Sequence, residues 1–128
     1  MVAEHHQRYD AIVIGAGQGG SPLAMALAGR GNSTALVEAR HVGGTCVNYG
    51  CISTKTMVAS ARSAYAVSRA ADYGVQATPG PVNMEVVRSR KRQIVSDFRG
   101  GSERAVGNTE NLELIRGQAS FTGPKTLR

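Results

Sequence analysis

The sequence predicts an α/β fold in which short buried strands form a parallel sheet flanked by helices. Three observations carry this prediction: an apolar run at Ala11–Ile14 that ends in glycine, a glycine-rich turn at residues 15–20, and helical patterns that alternate with further short apolar runs. At 128 residues, with 41% hydrophobic and 19% charged residues, the chain has the size and composition of one soluble domain. Residues 1–8 are expected to form a flexible polar tail, and residues 9–128 the folded part.

The first half of the fold is predicted from its glycines and apolar runs. After the strand Ala11–Ile14, a helix is expected over Gly17–Gly29, because Pro22 is tolerated in a first turn and glycines favour the helix end. The short apolar run Thr34–Val37 predicts a second strand, which ends at Glu38.

The second half is predicted to contain two long helices and two short strands. One helix follows a cysteine-containing segment and runs to about residue 71, where an Asp-Tyr-Gly sequence breaks it. The other helix spans Met84–Val106, with apolar residues at helical spacing. The strands Leu112–Ile115 and Gln118–Thr122 follow, and a Gly-Pro turn ends the second of them.

The net charge of +6 is interpreted as a solvated helix face. Its densest run, Arg88–Arg92, lies on the second long helix largely opposite the apolar positions, without interleaved aromatic residues, so no nucleic-acid partner is expected. No apolar run approaches the ~18 residues of a membrane span, and the N-terminus lacks a signal-peptide pattern. A cytoplasmic protein without membrane contact is expected. His5 and His6 lie in the polar tail and are not expected to bind a metal.

The two cysteines of the chain, Cys46 and Cys51, lie five positions apart, between a double glycine and Lys55. If both lay in one regular helix, their Cα atoms would be roughly 8.7 Å apart. A disulfide requires a Cα–Cα distance of about 7 Å or less. If they bond, Cys46 must lie in an entering loop, with Gly50 at the bend and Cys51 near the helix start, where the helix dipole and the lysine lower a thiol pKa. The alternative is two unpaired cysteines packed as small hydrophobic residues.

The turn formed by Gly15, Gly17 and Gly20 lies between a predicted strand and a predicted helix, which is the context of a dinucleotide-binding site. Gly15 permits the tight turn, Gly17 lets a pyrophosphate approach the backbone, and Gly20 lets helix and strand pack closely. Glu38 ends the next strand about 20 residues later, where it can accept a hydrogen bond from a ribose hydroxyl. The alternative is an ordinary structural turn with a surface glutamate.

With both motifs together, the chain resembles the pyridine nucleotide–disulfide oxidoreductases, flavoproteins that include mercuric reductase, dihydrolipoyl dehydrogenase and glutathione reductase. The resemblance runs from about Tyr9 to the C-terminus and includes Arg116–Thr126, and the Thr-Cys-Val-Asn sequence is most similar to mercuric reductase-like members. It implies a Rossmann-like FAD-binding fold, of which this chain holds the N-terminal part. It also implies NAD(P)H as co-substrate and a small-molecule disulfide, thiol or Hg(II)-type substrate.

On the adenosine side, the resemblance implies that Gly15, Gly17 and Gly20 hold the FAD pyrophosphate. It implies that Glu38 binds the adenosine ribose. Ala119 matches a position whose backbone contacts the adenine.

On the flavin side, the resemblance implies that Gly44, Thr45 and Cys46 line the ring and that Lys55 favours its reduced, anionic character. Cys51 matches the flavin-proximal thiol, which makes a charge-transfer contact. Cys46 matches the exposed thiol that attacks substrate.

The chain departs from the family in two respects. Ser53 stands where the family usually has proline, which predicts a small stability cost and a hydroxyl that can cap the helix. Family members are also several times longer, with an NAD(P)H domain and a dimerisation domain that completes the active site of a homodimer; His41 is not expected to replace the missing histidine. The isolated chain is therefore expected to be weakly active or inactive. The alternatives are a non-catalytic nucleotide-binding remnant and a small NAD-binding Rossmann protein whose cysteines are incidental.

Overall fold

The computed structural model describes residues 7–128, which divide into two compact units. One unit contains the chain up to Gly44 together with Arg99–Arg128, and the other contains Thr45–Phe98. The histidine pair at positions 5 and 6 lies outside the described residues. Within residues 7–128, no helix combines the length and the hydropathy that crossing a bilayer requires.

The first elements of the described chain alternate between strand and helix, and a run of helical segments and then three strands follow. In order they are β1 (Ala11–Ile14), α1 (Gly20–Ala28), β2 (Thr34–Glu38), α2 (Gly44–Asn48), α3 (Cys51–Ser68), a short 3₁₀ helix (Ala70–Tyr73), α4 (Met84–Gly107), β3 (Leu112–Arg116), β4 (Phe121–Gly123) and β5 (Thr126–Leu127).

Strands β1, β2 and β3 form a parallel sheet with β2 in the centre. The register places Leu36 of β2 between Val13 of β1 and Leu114 of β3. Residues Thr34–Val37 are all buried, which is typical of a central strand covered on both faces. The predicted α/β fold with a parallel sheet is confirmed, and it is the Rossmann-like sheet that positions the glycine turn at the end of β1.

The core of the first unit is built from alanine, valine and leucine side chains. This agrees with a sequence that has no tryptophan and only 5% aromatic residues. The fully buried members of this core include Ala24 on α1 and Leu36 on β2, and Val106 of α4 joins them. An alanine at the contact allows α1 to approach the sheet closely, which fixes the start of the helix against the end of β1.

Helix α1 begins at Gly20, three residues later than predicted. Gly17 and Gly19 lie before the helix but supply carbonyls to its first N–H groups, to Ser21 at 3.1 Å and to Leu23 at 3.2 Å. At the other end, Gly31 adopts the left-handed conformation with φ +87°, and its N–H donates to the carbonyl of Ala28. The next N–H, that of Asn32, donates to the carbonyl of Leu27 at 3.3 Å. These two hydrogen bonds together form a Schellman ending of the helix.

The second unit consists of helical segments from α2, α3 and the first part of α4. The guanidinium of Arg90 donates to the carbonyl of Thr56 at 3.2 Å, which joins α4 to α3. Val95 is buried and the basic run of α4 is largely exposed, in agreement with a solvated basic face. Met84 and Phe98, predicted on the apolar face, are exposed in the described chain.

The C-terminal segment forms a hairpin. Strands β4 and β5 pair antiparallel around the predicted Gly-Pro turn. The strand predicted over Gln118–Thr122 is therefore shifted: β4 covers Phe121–Gly123, and Ser120 and Arg128 exchange backbone hydrogen bonds at 2.7 and 2.8 Å just before it, because the position of the turn sets which residues can face each other.

The start of the described chain is tied to β3 by Glu113. Its Oε2 accepts hydrogen bonds from Gln7 Nε2 at 3.0 Å and from the hydroxyl of Tyr9 at 2.5 Å. Desolvation, together with this bond and the charge of Glu113, raises the pKa of Tyr9 to about 12. Among the described residues, ordered contacts thus begin at Gln7.

Candidate nucleotide-binding turn and cysteine pair

The turn after β1 requires glycine at two of its three motif positions on steric grounds. Gly15 has φ +95°, a conformation that side chains disfavour, and its N–H donates to the carbonyl of Val37 at 2.7 Å. A Cβ at Gly20 would lie 1.8 Å from the carbonyl oxygen of Gly15. The first glycine therefore makes the turn, and the third allows α1 to start directly against it.

The segment that leads into the first cysteine packs on this turn, backbone against backbone. The N–H of Gly43 donates to the carbonyl of Ala16 at 2.7 Å. Gly44 has φ +58°, and a Cβ there would lie 2.8 Å from the Cα of Gly17. The role of Gly43 was missed in the sequence interpretation, although the double glycine before the cysteines was a signal for close backbone approach.

Glu38 is hydrogen-bonded to the backbone of the turn. Its Oε2 accepts the N–H of Ala16 at 2.7 Å, and its Oε1 accepts the N–H of Arg40 at 2.7 Å. Each carboxylate oxygen has a second lone pair, so these bonds leave acceptor capacity for a ribose hydroxyl. The carboxylate thus holds the turn in place, a role that the sequence interpretation did not assign to it.

Replacing Glu38 with alanine is expected to lower the free energy of unfolding by about 2 kcal/mol in the absence of nucleotide, because two N–H groups lose a charged acceptor. Urea denaturation measures this change, and the exposed Glu110→Ala variant is the control. A carboxylate that served only to bind ligand would leave the unfolding of the ligand-free chain unchanged.

Ala119 lies away from the glycine turn in the chain and lines a cavity of about 370 Å³ in the first unit. Ile12 and Val37 of the sheet and Leu127 of the hairpin also line it. Its predicted contact with adenine stays a prediction.

The two cysteines lie in different helices, the short α2 and the longer α3, which removes the geometric conflict of one regular helix. Cys46 lies in α2, not in a loop as predicted, because Gly44–Asn48 form a single helical turn. Cys51 is the first residue of α3, at the predicted helix start. Between them Gly50 forms the bend, where a Cβ would lie 3.1 Å from the carbonyl oxygen of Thr45.

Both cysteines are thiols, and their exposure is the reverse of the expectation: Cys51 is exposed and Cys46 is half-buried. The pKa of Cys46 is raised, first by a hydrogen bond with the side chain of Cys51, then by desolvation and by the charge of Cys51. The backbone N–H of Cys51 and the ammonium of Lys55 oppose this shift. The contact with Cys51 therefore favours the thiol form of Cys46 over its thiolate.

Alkylation should report this coupling, because only the thiolate reacts. In Cys51→Ala the hydrogen bond is lost, so the pH midpoint for alkylation of Cys46 should move to lower pH. In Lys55→Met it should move to higher pH, because a stabilising cation is removed. Iodoacetamide rates at a series of pH values, read by peptide mass spectrometry, measure both shifts, with Lys125→Met as the control. An unchanged midpoint in Cys51→Ala would contradict the coupling.

Ser53 does not cap α3 as expected. Its hydroxyl donates to the carbonyl of Gly50 at 3.0 Å, and no side-chain bond caps the helix among the described residues. Because serine is the third residue of the helix, its hydroxyl reaches back to the preceding carbonyl and not to a free N–H.

The predicted site residues divide between the two units. The first unit contains the turn, its acidic partner and the last glycine before the cysteines: Gly15, Gly17, Gly20, Glu38 and Gly44, and also the more distant Ala119. The second unit contains Thr45, Cys46, Cys51 and Lys55, and Thr45 follows Gly44 directly in the chain.

Comparison with known proteins gives consistent results. The family model described as pyridine nucleotide-disulphide oxidoreductase matches residues 9–127. The dihydrolipoyl dehydrogenase of Haloferax volcanii is 37% identical over 117 residues, which are 91% of this chain and 24% of that protein. The mercuric reductase of Streptomyces lividans is 31% identical over 121 residues, 93% of this chain and 26% of that protein.

Among solved structures, the chain is similar to the Cu(II) complex of the HOCl-induced flavoprotein disulfide reductase RclA from Escherichia coli. The TM-score is 0.80 at 31% identity, over 96% of this chain and 24% of that one. The chain thus spans about a quarter of the length of these relatives.

Proposed function

Because the chain belongs to the pyridine nucleotide-disulphide oxidoreductase family, we propose that it is the N-terminal FAD-binding portion of a flavin-dependent disulfide oxidoreductase, with Cys46 and Cys51 as its redox-active pair. One observation carries the proposal: Gly43 and Gly44 pack against the turn at Ala16 and Gly17 immediately before the cysteine segment begins. The chain that enters the cysteine pair is thereby anchored on the nucleotide-binding turn.

The residues present fit a dinucleotide. The turn leaves Gly17 without a side chain at the helix start, so that a pyrophosphate can approach backbone N–H groups at the positive end of α1. Gly15, Gly17 and Gly20 would hold the pyrophosphate, Glu38 the ribose and Ala119 the adenine. When bound, FAD supplies two-electron transfer between a nicotinamide and a disulfide.

On the flavin side, Gly44, Thr45 and Cys46 would line the cofactor, and Lys55 would place a positive charge beside it. The exposed sulfur of Cys51 is the one that the ring would cover. Cys46, whose pKa is raised by the hydrogen bond with Cys51, is assigned to the attack on substrate once that contact is broken. Both assignments follow the matched positions of the family.

The complete enzyme is proposed to take NAD(P)H as reductant and a disulfide, thiol or Hg(II)-type substrate, and to work as a cytoplasmic homodimer. Relatives named dihydrolipoyl dehydrogenase and mercuric reductase support this range of substrates. Since this chain spans a quarter of their length, we propose that alone it binds FAD with little or no turnover of NAD(P)H.

Flavin retention tests the proposal. The purified chain should bind FAD, as seen by its absorbance and by quenched fluorescence, without oxidising NADPH faster than free FAD does. In Gly17→Ala the new Cβ would lie 3.9 Å from Gly44 Cα, an ordinary contact, so the fold should persist. That Cβ occupies the phosphate approach, and affinity for FAD should fall by about 10-fold or more. Gly19→Ala, whose Cβ meets open space, is the matched control.

Two results would overturn the proposal. A folded wild-type chain that binds no flavin would favour the non-catalytic remnant. NAD(P)-dependent chemistry that survives Cys46→Ser unchanged would favour a small Rossmann protein with incidental cysteines.

A further inference from the structure

A small cavity opens beside the glycine turn, within the first unit. Its volume is about 160 Å³, which is enough for several water molecules or for part of a phosphate group. Its lining includes Gly17 and Gln18 of the turn, Ser21 of α1, Gly43, and Ser102 of α4. None of the functions assigned above uses Ser21.

The hydroxyl of Ser21 is buried in this cavity wall without a hydrogen bond. Ser21 is 8% exposed, and among residues 7–128 no partner lies within hydrogen-bonding distance of its Oγ. The backbone N–H of the same residue bonds the carbonyl of Gly17. A buried hydroxyl without a hydrogen-bond partner is unfavourable. A ligand atom in the cavity that accepts its hydrogen bond would remove this cost.

Several other hydroxyls in or near the helices donate to a carbonyl of the preceding turn. Thr56 does so at 2.8 Å and Ser63 at 3.1 Å, each to the carbonyl four residues earlier, and Ser68 does so at 2.8 Å, to the carbonyl three residues earlier. Ser21 is the second residue of α1 and has such a carbonyl at Gly17, yet its hydroxyl does not use it. The donor therefore remains available to an atom in the cavity.

The start of α1 attracts a negatively charged ligand. In the described structure, the first turn of α1 contains no acidic residue, and no side chain caps it. The partial positive charge at the helix start thus has no counter-charge from the helix itself. An anionic oxygen that entered the cavity would meet this charge and the Ser21 donor together.

We propose that the Ser21 hydroxyl donates a hydrogen bond, directly or through one water, to a phosphate oxygen of a bound dinucleotide, so that Ser21 is a further binding residue of the turn. The inference rests on the proposed nucleotide-binding function. It adds a side-chain donor to a site that the glycines form with backbone alone, and this donor lies on the helix side of the turn.

The test compares Ser21→Ala and Ser21→Thr with the wild-type chain. Dissociation constants for FAD, ADP and inorganic pyrophosphate are measured by calorimetry, and thermal unfolding is followed without ligand. The Ser21→Ala variant should lose about 10-fold in affinity for all three ligands. Its ligand-free stability should be equal or higher, because an unsatisfied hydroxyl has been removed. The Ser21→Thr variant should restore affinity, and the exposed Ser33→Ala variant should match the wild type.

The outcomes separate this inference from the proposed function. Binding of ADP and pyrophosphate that depends on Ser21, without binding of FAD, would support the inference and overturn the flavin assignment. Unchanged affinity in Ser21→Ala with raised ligand-free stability would overturn the inference and leave flavin binding intact. Failure of the wild-type chain to bind any of the three ligands would overturn both.

Discussion

Gly20→Ala is expected to destabilise the glycine turn and with it the first unit. The added Cβ would lie 1.8 Å from the carbonyl oxygen of Gly15, and that carbonyl belongs to backbone that cannot rotate away. Gly15 is held at φ +95° by its N–H bond to Val37 of the central strand. Relief of the clash therefore requires α1 to move off the sheet, which uncovers Ala24 and Leu36 of the core.

We expect this substitution to lower the free energy of unfolding by about 3 kcal/mol or more, because overpacking against fixed backbone lies at the upper end of such effects. Denaturation by urea, followed by circular dichroism, measures the change. Gly19→Ala is the matched control, since a Cβ at Gly19 meets no atom within 4 Å. Equal stability of the two variants would mean that the close contact between α1 and β1 does not exist in solution.

Together with Gly17→Ala, these variants separate folding from binding at adjacent positions. The third glycine of the motif is required by a clash within the protein, whereas the second has only ordinary contacts at 3.9 Å. The absence of a side chain at Gly17 therefore has no steric cause within the first unit. Under the proposed function the reason is the approach of a phosphate, so its replacement should affect affinity and not stability.

The parts of the fold that the sequence predicts are those that local patterns determine. The continuous apolar run of β2 predicts a strand that is buried on both faces, and β2 is such a strand. The run of β1 predicts the strand correctly but its full burial wrongly: Ile12 and Ile14 are exposed, because β1 pairs only with β2 and lies at the edge of the described sheet. The glycine spacing likewise identifies the turn, because the φ of Gly15 and the contact at Gly20 leave no room for other residues.

The parts that the sequence did not reveal depend on contacts between distant segments. Glu38 is 22 positions from Ala16, and nothing in its neighbourhood indicates that it accepts that N–H. The helical turn α2 is too short to produce a periodic pattern, so Cys46 was expected in a loop. The burial of the Ser21 hydroxyl could not be predicted from the sequence, because it depends on residues of α4 that line the same cavity.

Mild oxidation of the chain is expected to convert both cysteines into one intramolecular disulfide. Their side chains already share a hydrogen bond, so the sulfurs need no large movement to join. Two thiols would lose two protons and two electrons to the oxidant, and the S–S bond forms between Cys46 and Cys51. At ~10 μM protein, an effective thiol concentration in the millimolar range favours this closure over pairing between chains by about 100-fold.

The bend at Gly50 makes this prediction specific. A Cβ there would lie 3.1 Å from the carbonyl oxygen of Thr45, so in Gly50→Ala the backbone at this bend must shift by a few tenths of an ångström, which we expect to disturb the approach of Cys46 to Cys51. Closure by oxidised glutathione should then slow by about 10-fold, whereas Gly80→Ala, with open space at its Cβ, should behave as wild type. Thiol titration and intact mass, which falls by two hydrogens on closure, follow the reaction. Disulfide-linked dimers from the wild-type chain, or two thiols that persist, would mean that the cysteines are not a redox pair.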